Sequence, residues 1–364
     1  MLFAQKKNTL SSFKALFNNN AALEEGLYTD TDALAMETGR RVGQPGHDVA
    51  REYLIHRMDE LGLTPFAGDS FELPYKGMIA GTKKKHTFTN LVGVIPGENR
   101  HLPPLLLGAH YDSVIDAPCA DDNATSVAMN LAIAEMVMKA PLQRDLIIAL
   151  YDAEEPPHFL GEFMGSTRFY EDYCQDIDFA GAIITDLIGH DLRISDLVAI
   201  PKVAETLLSG TDRIVFMTGA ESDSILPEVV EETAKNHSGI KIFPTLNSYV
   251  GNMSDHHAFQ KNGQPFLFFS CAQGKYYHHE QDTLDWINFE KLAKITRFIH
   301  DIIYQLDKTP AGEAPYATDP AEFEIRMITK ALGATKLKLA SKAFSIPLPE
   351  TRKDLDQLIG SIIG

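Results

Sequence analysis

The 364-residue sequence contains only three cysteines and one tryptophan. Cys119, Cys174 and Cys271 are too few and too far apart to form a disulfide framework or a thiolate zinc cluster. No apolar run reaches the roughly 18 residues that a membrane-spanning helix requires. Positive charge is also scarce, since 33 basic residues against 50 acidic ones give a net charge of −17. We therefore expect neither a nucleic-acid partner nor membrane association.

The beginning of the sequence lacks the basic segment and the apolar stretch of an export signal. We expect a cytoplasmic protein on the sequence as given, and a periplasmic or secreted one if the natural N-terminus was trimmed. The remaining composition is that of a folded globular protein, with 44% hydrophobic and 23% charged residues.

Short apolar runs predict the strands of a buried sheet. They are rich in β-branched or aromatic residues and do not alternate with polar ones, which is typical of strands covered on both faces. The runs span residues 89–95, 104–109, 145–151, 180–185, 213–218 and 265–270. Helical periodicity occurs at residues 46–63, 123–140, 222–236 and 289–306. This alternation predicts an α/β fold with an open, mostly parallel or mixed sheet and helices on both faces.

The same pattern predicts one catalytic domain over residues 1–306. Within it, the segment at about 189–253 would form a lid-like insertion that covers the pocket and sets specificity. Residues 307–364 would be a C-terminal helical extension, because the stretch IRMITKALG has helical periodicity. This extension is a candidate for a subunit contact or a second lid, and the oligomeric state stays open.

Histidines and carboxylates follow four of the predicted strands. The carboxyl ends of strands form the ligand crevice of an open α/β sheet, so these groups would meet at one edge. Nitrogen and carboxylate ligands without cysteine suit Zn²⁺ or another first-row divalent ion. The segments concerned are His110-Tyr111-Asp112, Asp152-Ala153-Glu154-Glu155, Asp186 and Tyr277-His278-His279, together with Asp121-Asp122-Asn123 before a helix.

The order of the motifs AHYDS, ADDNATS, DAEE, TDLIG, SDHHAF and YHHEQDT resembles the co-catalytic di-zinc aminopeptidase family. These zinc exopeptidases also include glutamate carboxypeptidases and glutaminyl cyclases, and the resemblance runs from about Arg41 to Leu306. It implies a zinc-exopeptidase, phosphorylase/hydrolase-like fold. It also implies a metallo-aminopeptidase that hydrolyses N-terminal residues of peptides with a di-zinc-bound hydroxide and a glutamate as general base.

The resemblance assigns the metal ligands residue by residue. His110 and Asp186 would bind one zinc ion, Glu155 and His278 would bind the second, and Asp122 would bridge the two. Two ions roughly 3.5–4 Å apart could hold a hydroxide and polarise a carbonyl at the same time.

Asp122 fits the bridging position better than Asp121. The Asp-x-x-Ser-Gly pattern of the family aligns with Asp122, although this chain has Thr125 and Ser126 where the family has Ser-Gly. The resemblance also implies a cis peptide bond between Asp122 and Asn123.

Three further residues receive catalytic roles from the resemblance. Glu154 would remain without metal and act as general base. Asp112 could accept a hydrogen bond from His110 and thereby fix the tautomer of that ligand. Tyr277 could donate a hydrogen bond to the oxyanion of the tetrahedral intermediate.

Alternatives with the same fold stay open at this point. A glutaminyl cyclase (glutaminyl-peptide cyclotransferase) shares HYDS, the paired glutamates and DLIG, but it usually has tryptophan where this chain has Tyr277. A carboxypeptidase would need an arginine to clamp the terminal carboxylate, and the sequence does not locate one. A catalytically inactive binding protein normally loses a ligand or the base, and all of them are present here.

Overall fold

A computed structural model describes residues 20–79, 82, 84–193, 210–310, 319–343 and 345–363. Within these residues, nine strands form one mixed sheet. The strands are β1 (Thr64–Pro65), β2 (Glu72–Met78), β3 (Lys85–Ile95), β4 (Leu105–His110), β5 (Leu146–Tyr151), β6 (Gly181–Thr185), β7 (Ile214–Thr218), β8 (Lys241–Pro244) and β9 (Phe266–Ser270). Their order across the sheet is β1-β3-β5-β4-β6-β9-β7-β8, and β2 pairs with β3.

Helices surround this sheet. They are α1 (Asn20–Leu34), α2 (Pro45–Glu60), α3 (Thr125–Lys139), α4 (Gly165–Phe169), α5 (Leu226–Ala234), α6 (Asn247–Val250), α7 (His256–Lys261), α8 (Phe289–Lys308), α9 (Ala321–Leu332), α10 (Ala334–Ala343) and α11 (Arg352–Ile363). No helix in these described ranges has the length and apolar character needed to span a bilayer.

The sheet is buried on both faces because alternate side chains of each strand enter different cores. Leu105 and Leu107 of β4 belong to the core under α1, α3 and α8, whereas Leu106 belongs to the core that Phe169 and Phe259 complete. Strands covered on both sides need apolar residues at every position, which explains the unbroken runs in the sequence. The predicted α/β fold class is confirmed.

The centre of the sheet is parallel. β4 pairs in parallel with β5 and β6, and β6 pairs in parallel with β9. β3 and β7 run antiparallel to their neighbours β5 and β9. The carboxyl ends of the four central strands therefore meet at one edge of the sheet. The histidine and carboxylate side chains described below lie at this edge.

Some elements differ from the sequence-based expectation. β2 was not predicted, because Pro74 and Gly77 interrupt its sequence and only Leu73 and Tyr75 of its side chains are buried. Its backbone pairs with β3 at seven positions. Within the periodic stretch 222–236, α5 begins at Leu226, and Pro227 lies in its first turn and marks this start.

The segment predicted as a lid contributes to the sheet as well as to the pocket. β7, α5 and β8 lie in it and extend the sheet beyond β9, whereas residues 194–209 lie outside the described part. In the C-terminal extension, α9 packs against β8 and α11 contacts α6.

Candidate metal centre

The structure brings together the five residues that the sequence assigns to metal binding. His110 is the last residue of β4, and Asp186 directly follows β6. Glu155 lies just beyond β5, Asp122 lies in the turn before α3, and His278 lies in the loop after β9. They form two groups, His110 with Asp122 and Asp186, and Asp122 with Glu155 and His278.

Asp122 belongs to both groups and presents a different oxygen to each. Its Oδ1 lies 3.4 Å from His110 Nε2, and its Oδ2 lies 3.3 Å from His278 Nε2. His110 Nε2 also lies 3.6 Å from Asp186 Oδ1, and His278 Nε2 lies 3.2 Å from Glu155 Oε2. A carboxylate shared in this way is the arrangement that holds two cations side by side.

The spacing of these atoms fits zinc. Tetrahedral ligands with bonds of 2.0–2.1 Å are separated from one another by about 3.3 Å, and the observed separations are 3.2–3.6 Å. Five buried ligand-side atoms also lack a hydrogen-bond partner within the described residues. They are His110 Nε2, Asp122 Oδ2, Glu155 Oε1, Asp186 Oδ1 and His278 Nε2. Unpaired buried polar atoms cost about 1–3 kcal/mol each, and bound cations would remove this cost.

The electrostatics of the cluster also favour a cation. Burial and the charge of Asp122 raise the pKa of Glu155 to about 8. Burial also raises the pKa of Asp186 and of Glu154. Their surroundings in the protein alone therefore oppose the ionisation of Glu154, Glu155 and Asp186. Bound divalent cations would reverse this effect.

Glu154 belongs to neither ligand group, although it lies beside them. Its Oε2 is 3.8 Å from His110 Nε2, and its side chain lines the adjacent cavity.

Asp112 positions both glutamates, since its carboxylate accepts hydrogen bonds from the backbone N–H groups of Glu154 at 3.1 Å and Glu155 at 3.2 Å. Asp112 Oδ1 also lies 3.4 Å from His110 Nδ1. This carboxylate therefore contacts His110 as well as the backbone of both glutamates.

Hydrogen bonds explain why Asp122 and not Asp121 faces the cluster. The Asp121 carboxylate turns away and accepts from Gly189 N and His190 Nδ1, both at 2.6 Å. Asp282 accepts from the backbone N–H groups of Asp121 and Asp122 at 2.9 and 3.1 Å. The Asp122–Asn123 peptide bond is cis. The YHHEQDT motif thus supplies both His278 of the cluster and the carboxylate that holds the turn with Asp122.

Arg40 has no predicted role, and the structure places it beneath the same turn. Arg40 is fully buried, and burial lowers the pKa of its guanidinium. Its side chain donates five hydrogen bonds of 2.7–3.2 Å to backbone carbonyls. The acceptors belong to Leu34, Tyr111, Pro118, Cys119 and Asp122. Arg40 therefore ties α1 and β4 to the turn that presents Asp122.

We predict that Arg40→Met lowers the free energy of unfolding by at least about 3 kcal/mol, because several buried carbonyls lose a charged donor at once. The neighbouring variant Arg41→Met is the control. Arg41 pairs with Asp116 at the surface with both side chains about half exposed, so its loss should cost less than about 1 kcal/mol. Equilibrium urea unfolding in the presence of chelator measures both values. Equal losses would contradict the role of Arg40.

A cavity of about 410 Å³ opens beside the cluster, and its wall is mainly apolar. The larger apolar side chains on it include Phe216, Phe243, Tyr249, Met253, Phe268 and Ile359. Tyr277 also lies on the wall and stacks on His278 with ring centroids 3.7 Å apart. None of the lining residues found in the described ranges is arginine, lysine or tryptophan.

Proteins of known sequence and structure resemble this chain at low identity. Leucine aminopeptidase 1 of Sclerotinia sclerotiorum is 23% identical over 242 residues, which cover 61% of this chain and 57% of that protein. The glutaminyl cyclase of Fimbriiglobus ruber superposes with a TM-score of 0.62 at 18% identity, over 79% of this chain and 95% of its own. A zinc-dependent exopeptidase of Parabacteroides distasonis gives a TM-score of 0.59 at 16% identity, over 77% and 97% of the two chains.

These solved structures share the fold predicted from the motifs. The sequence itself matches the profile of peptidase family M28 over residues 90–303, which is more than half of the chain. The matched range includes the strands β4, β5, β6 and β9 and the five clustered residues. The resemblance drawn from the motifs is thus confirmed, and the chain belongs to peptidase family M28.

Proposed function

We propose that this chain is an aminopeptidase that uses two zinc ions to remove N-terminal residues from peptides. The observation that carries the proposal is the pair of ligand groups that share Asp122, with Glu154 left unligated beside them. The similar proteins include a leucine aminopeptidase and a zinc-dependent exopeptidase, which supports the same proposal.

Zinc in these two groups would lower the pKa of a bound water and polarise the carbonyl of the scissile bond. Glu154 would take a proton from the attacking water and deliver it to the leaving amine. Burial raises the pKa of its carboxyl, and nearby cations would lower it again toward the range in which a carboxylate can both accept and return a proton.

Tyr277 would stabilise the oxyanion of the tetrahedral intermediate. Burial and the charges of Asp122 and Glu155 raise the pKa of its hydroxyl. The hydroxyl therefore keeps its proton at neutral pH and remains able to donate a hydrogen bond. Its place on the cavity wall beside His278 supports this role.

The lining of the cavity does not favour a substrate carboxylate. Bound zinc would offset the charges of Asp122, Glu155 and Asp186, Glu154 would remain unligated, and the described wall contains no cationic side chain that could clamp a C-terminal carboxylate. This supports aminopeptidase over carboxypeptidase activity. Against the cyclase alternative, the single tryptophan, Trp286, stacks on His190 and does not contribute to the described wall.

A panel of aminoacyl anilides tests the proposal. We expect the leucyl and phenylalanyl anilides to be hydrolysed at least tenfold faster than the aspartyl anilide, because the wall is apolar. A chelator should abolish hydrolysis, and added Zn²⁺ should restore it. In parallel, mass spectrometry of a Gln-initiated peptide should show loss of the residue. Loss of ammonia would instead identify a cyclase, and hydrolysis that resists the chelator would contradict the role of the metal.

A further inference from the structure

Among the described residues that line the cavity, one lies far outside the family match. Ile359 belongs to α11, more than 50 residues beyond the end of the matched range at residue 303. It is 2% exposed and lies on the same wall as Phe216, Phe243 and Tyr249. We propose that α11 closes the substrate cavity and that Ile359 sets the size of the N-terminal side chain that the cavity accepts. This inference rests on the proposed aminopeptidase function.

Apolar packing fixes the inner face of α11. Leu355, Leu358 and Ile359 are spaced as one face of a helix requires, and all three are buried. Leu355 and Leu358 pack in a cluster with Phe243 of β8 and Ile328 of α9. Because Phe243 also lines the cavity, the cluster that anchors α11 is continuous with the substrate wall.

Polar contacts hold the start and the middle of α11. Arg352, at the start of α11, contacts the buried Glu324 carboxylate at 2.5 Å and donates to Asp319 at 2.9 Å. Burial raises the pKa of Glu324 to about 7, and the guanidinium charge opposes this shift. In the middle of α11, Asp356 accepts a hydrogen bond from the hydroxyl of Tyr249.

The Tyr249 contact links two parts of the wall. Tyr249 belongs to α6 and lines the cavity with Val250 and Met253. α11 therefore supplies Ile359 directly and orients the neighbouring wall through Asp356. Leu355 and Leu358 anchor the helix without lining the cavity in the described structure. A change at Ile359 alone should thus alter the cavity while the anchors remain.

The apolar character of the cavity wall indicates the substrate class. Ile359 faces a cavity whose larger side chains are aromatic or aliphatic, so the accepted side chain is apolar and its upper size limit depends on Ile359. One methylene in an apolar pocket changes selectivity by about 10–200-fold. Shortening Ile359 should favour larger side chains, and enlarging it should favour smaller ones.

The test compares kcat/KM for naphthylalanyl and alanyl anilides in three variants of the full zinc-loaded chain. We expect Ile359→Ala to raise the ratio of the two values at least tenfold and Ile359→Phe to lower it at least tenfold. Gln357→Ala, at an exposed position of the same helix, should leave the ratio within twofold of the unsubstituted chain. Zinc content and the thermal midpoint of each variant show whether it is folded. The kcat/KM ratio should shift in opposite directions for alanine and phenylalanine, which a general loss of stability would not produce.

An unchanged ratio in folded Ile359→Ala and Ile359→Phe would overturn the role of Ile359 and leave the aminopeptidase proposal intact. If the unsubstituted zinc-loaded chain hydrolysed no anilide, both proposals would be wrong. A shift of equal size in Gln357→Ala would also overturn the inference, because that side chain is exposed on the opposite side of the helix from the buried residues.

Discussion

We expect Glu154→Gln to lower kcat by about 10²–10⁴-fold, which is the usual contribution of a general acid–base group. Glutamine keeps the size of the side chain but cannot take a proton from water. Glu154 belongs to neither ligand group, so the variant should still bind two zinc ions. Its KM should change little, since the cavity wall keeps its shape. Steady-state kinetics together with metal analysis of the same sample measure all three quantities.

The control for this variant is Glu162→Gln. Glu162 lies in the same loop after β5 but is exposed, so its substitution should leave kcat within about twofold of the unsubstituted enzyme. Near-normal turnover in Glu154→Gln would remove this residue from the mechanism. Loss of zinc together with activity in Glu154→Gln would show that Glu154 is needed for metal binding. That outcome would contradict its assignment as an unligated general base.

We expect Asp122→Ala to lose both metal ions, whereas His278→Ala should lose only one. Asp122 presents one oxygen to each ligand group, at 3.4 Å from His110 and 3.3 Å from His278. Without this carboxylate, each group retains only two protein ligands, and no anion remains between the cations. His278 belongs to one group only. We expect Asp122→Ala to lose anilide hydrolysis entirely.

Metal analysis after dialysis against metal-free buffer measures this difference. The expected zinc content is two per chain for the native protein, one for His278→Ala and close to none for Asp122→Ala. Asp69→Asn, at an exposed position, should retain both ions. Equal zinc contents in Asp122→Ala and His278→Ala would mean that Asp122 serves only one site.

The sequence predicted the central strands, and the segments that follow them, for the same physical reason. A strand that is buried on both faces must be apolar throughout, so the polar residue that follows it is conspicuous. His110 and Asp186 stand directly at such ends. The resemblance then selected the five residues within these segments and the Asp121-Asp122-Asn123 run. The choice of Asp122 over Asp121 came from the resemblance, and the structure adds the cause, since His190 and Gly189 hold Asp121 on the other side.

The features that the sequence did not predict depend on contacts between distant parts of the chain. Arg40 reaches Asp122 across 82 positions, and no local periodicity marks such a contact. β2 is held by pairing with β3 and not by an apolar pattern of its own. Ile359 looks like an ordinary inner-face residue of an amphipathic helix, and only the packing of α11 places it on the cavity wall.

Anomalous diffraction at the zinc absorption edge, from crystals of the full chain grown with Zn²⁺, tests the central claim most directly. We predict two peaks roughly 3.5–4 Å apart, one beside His110 and Asp186 and the other beside Glu155 and His278, with one oxygen of Asp122 facing each. A single peak, or none within bonding distance of Asp122, would contradict the account.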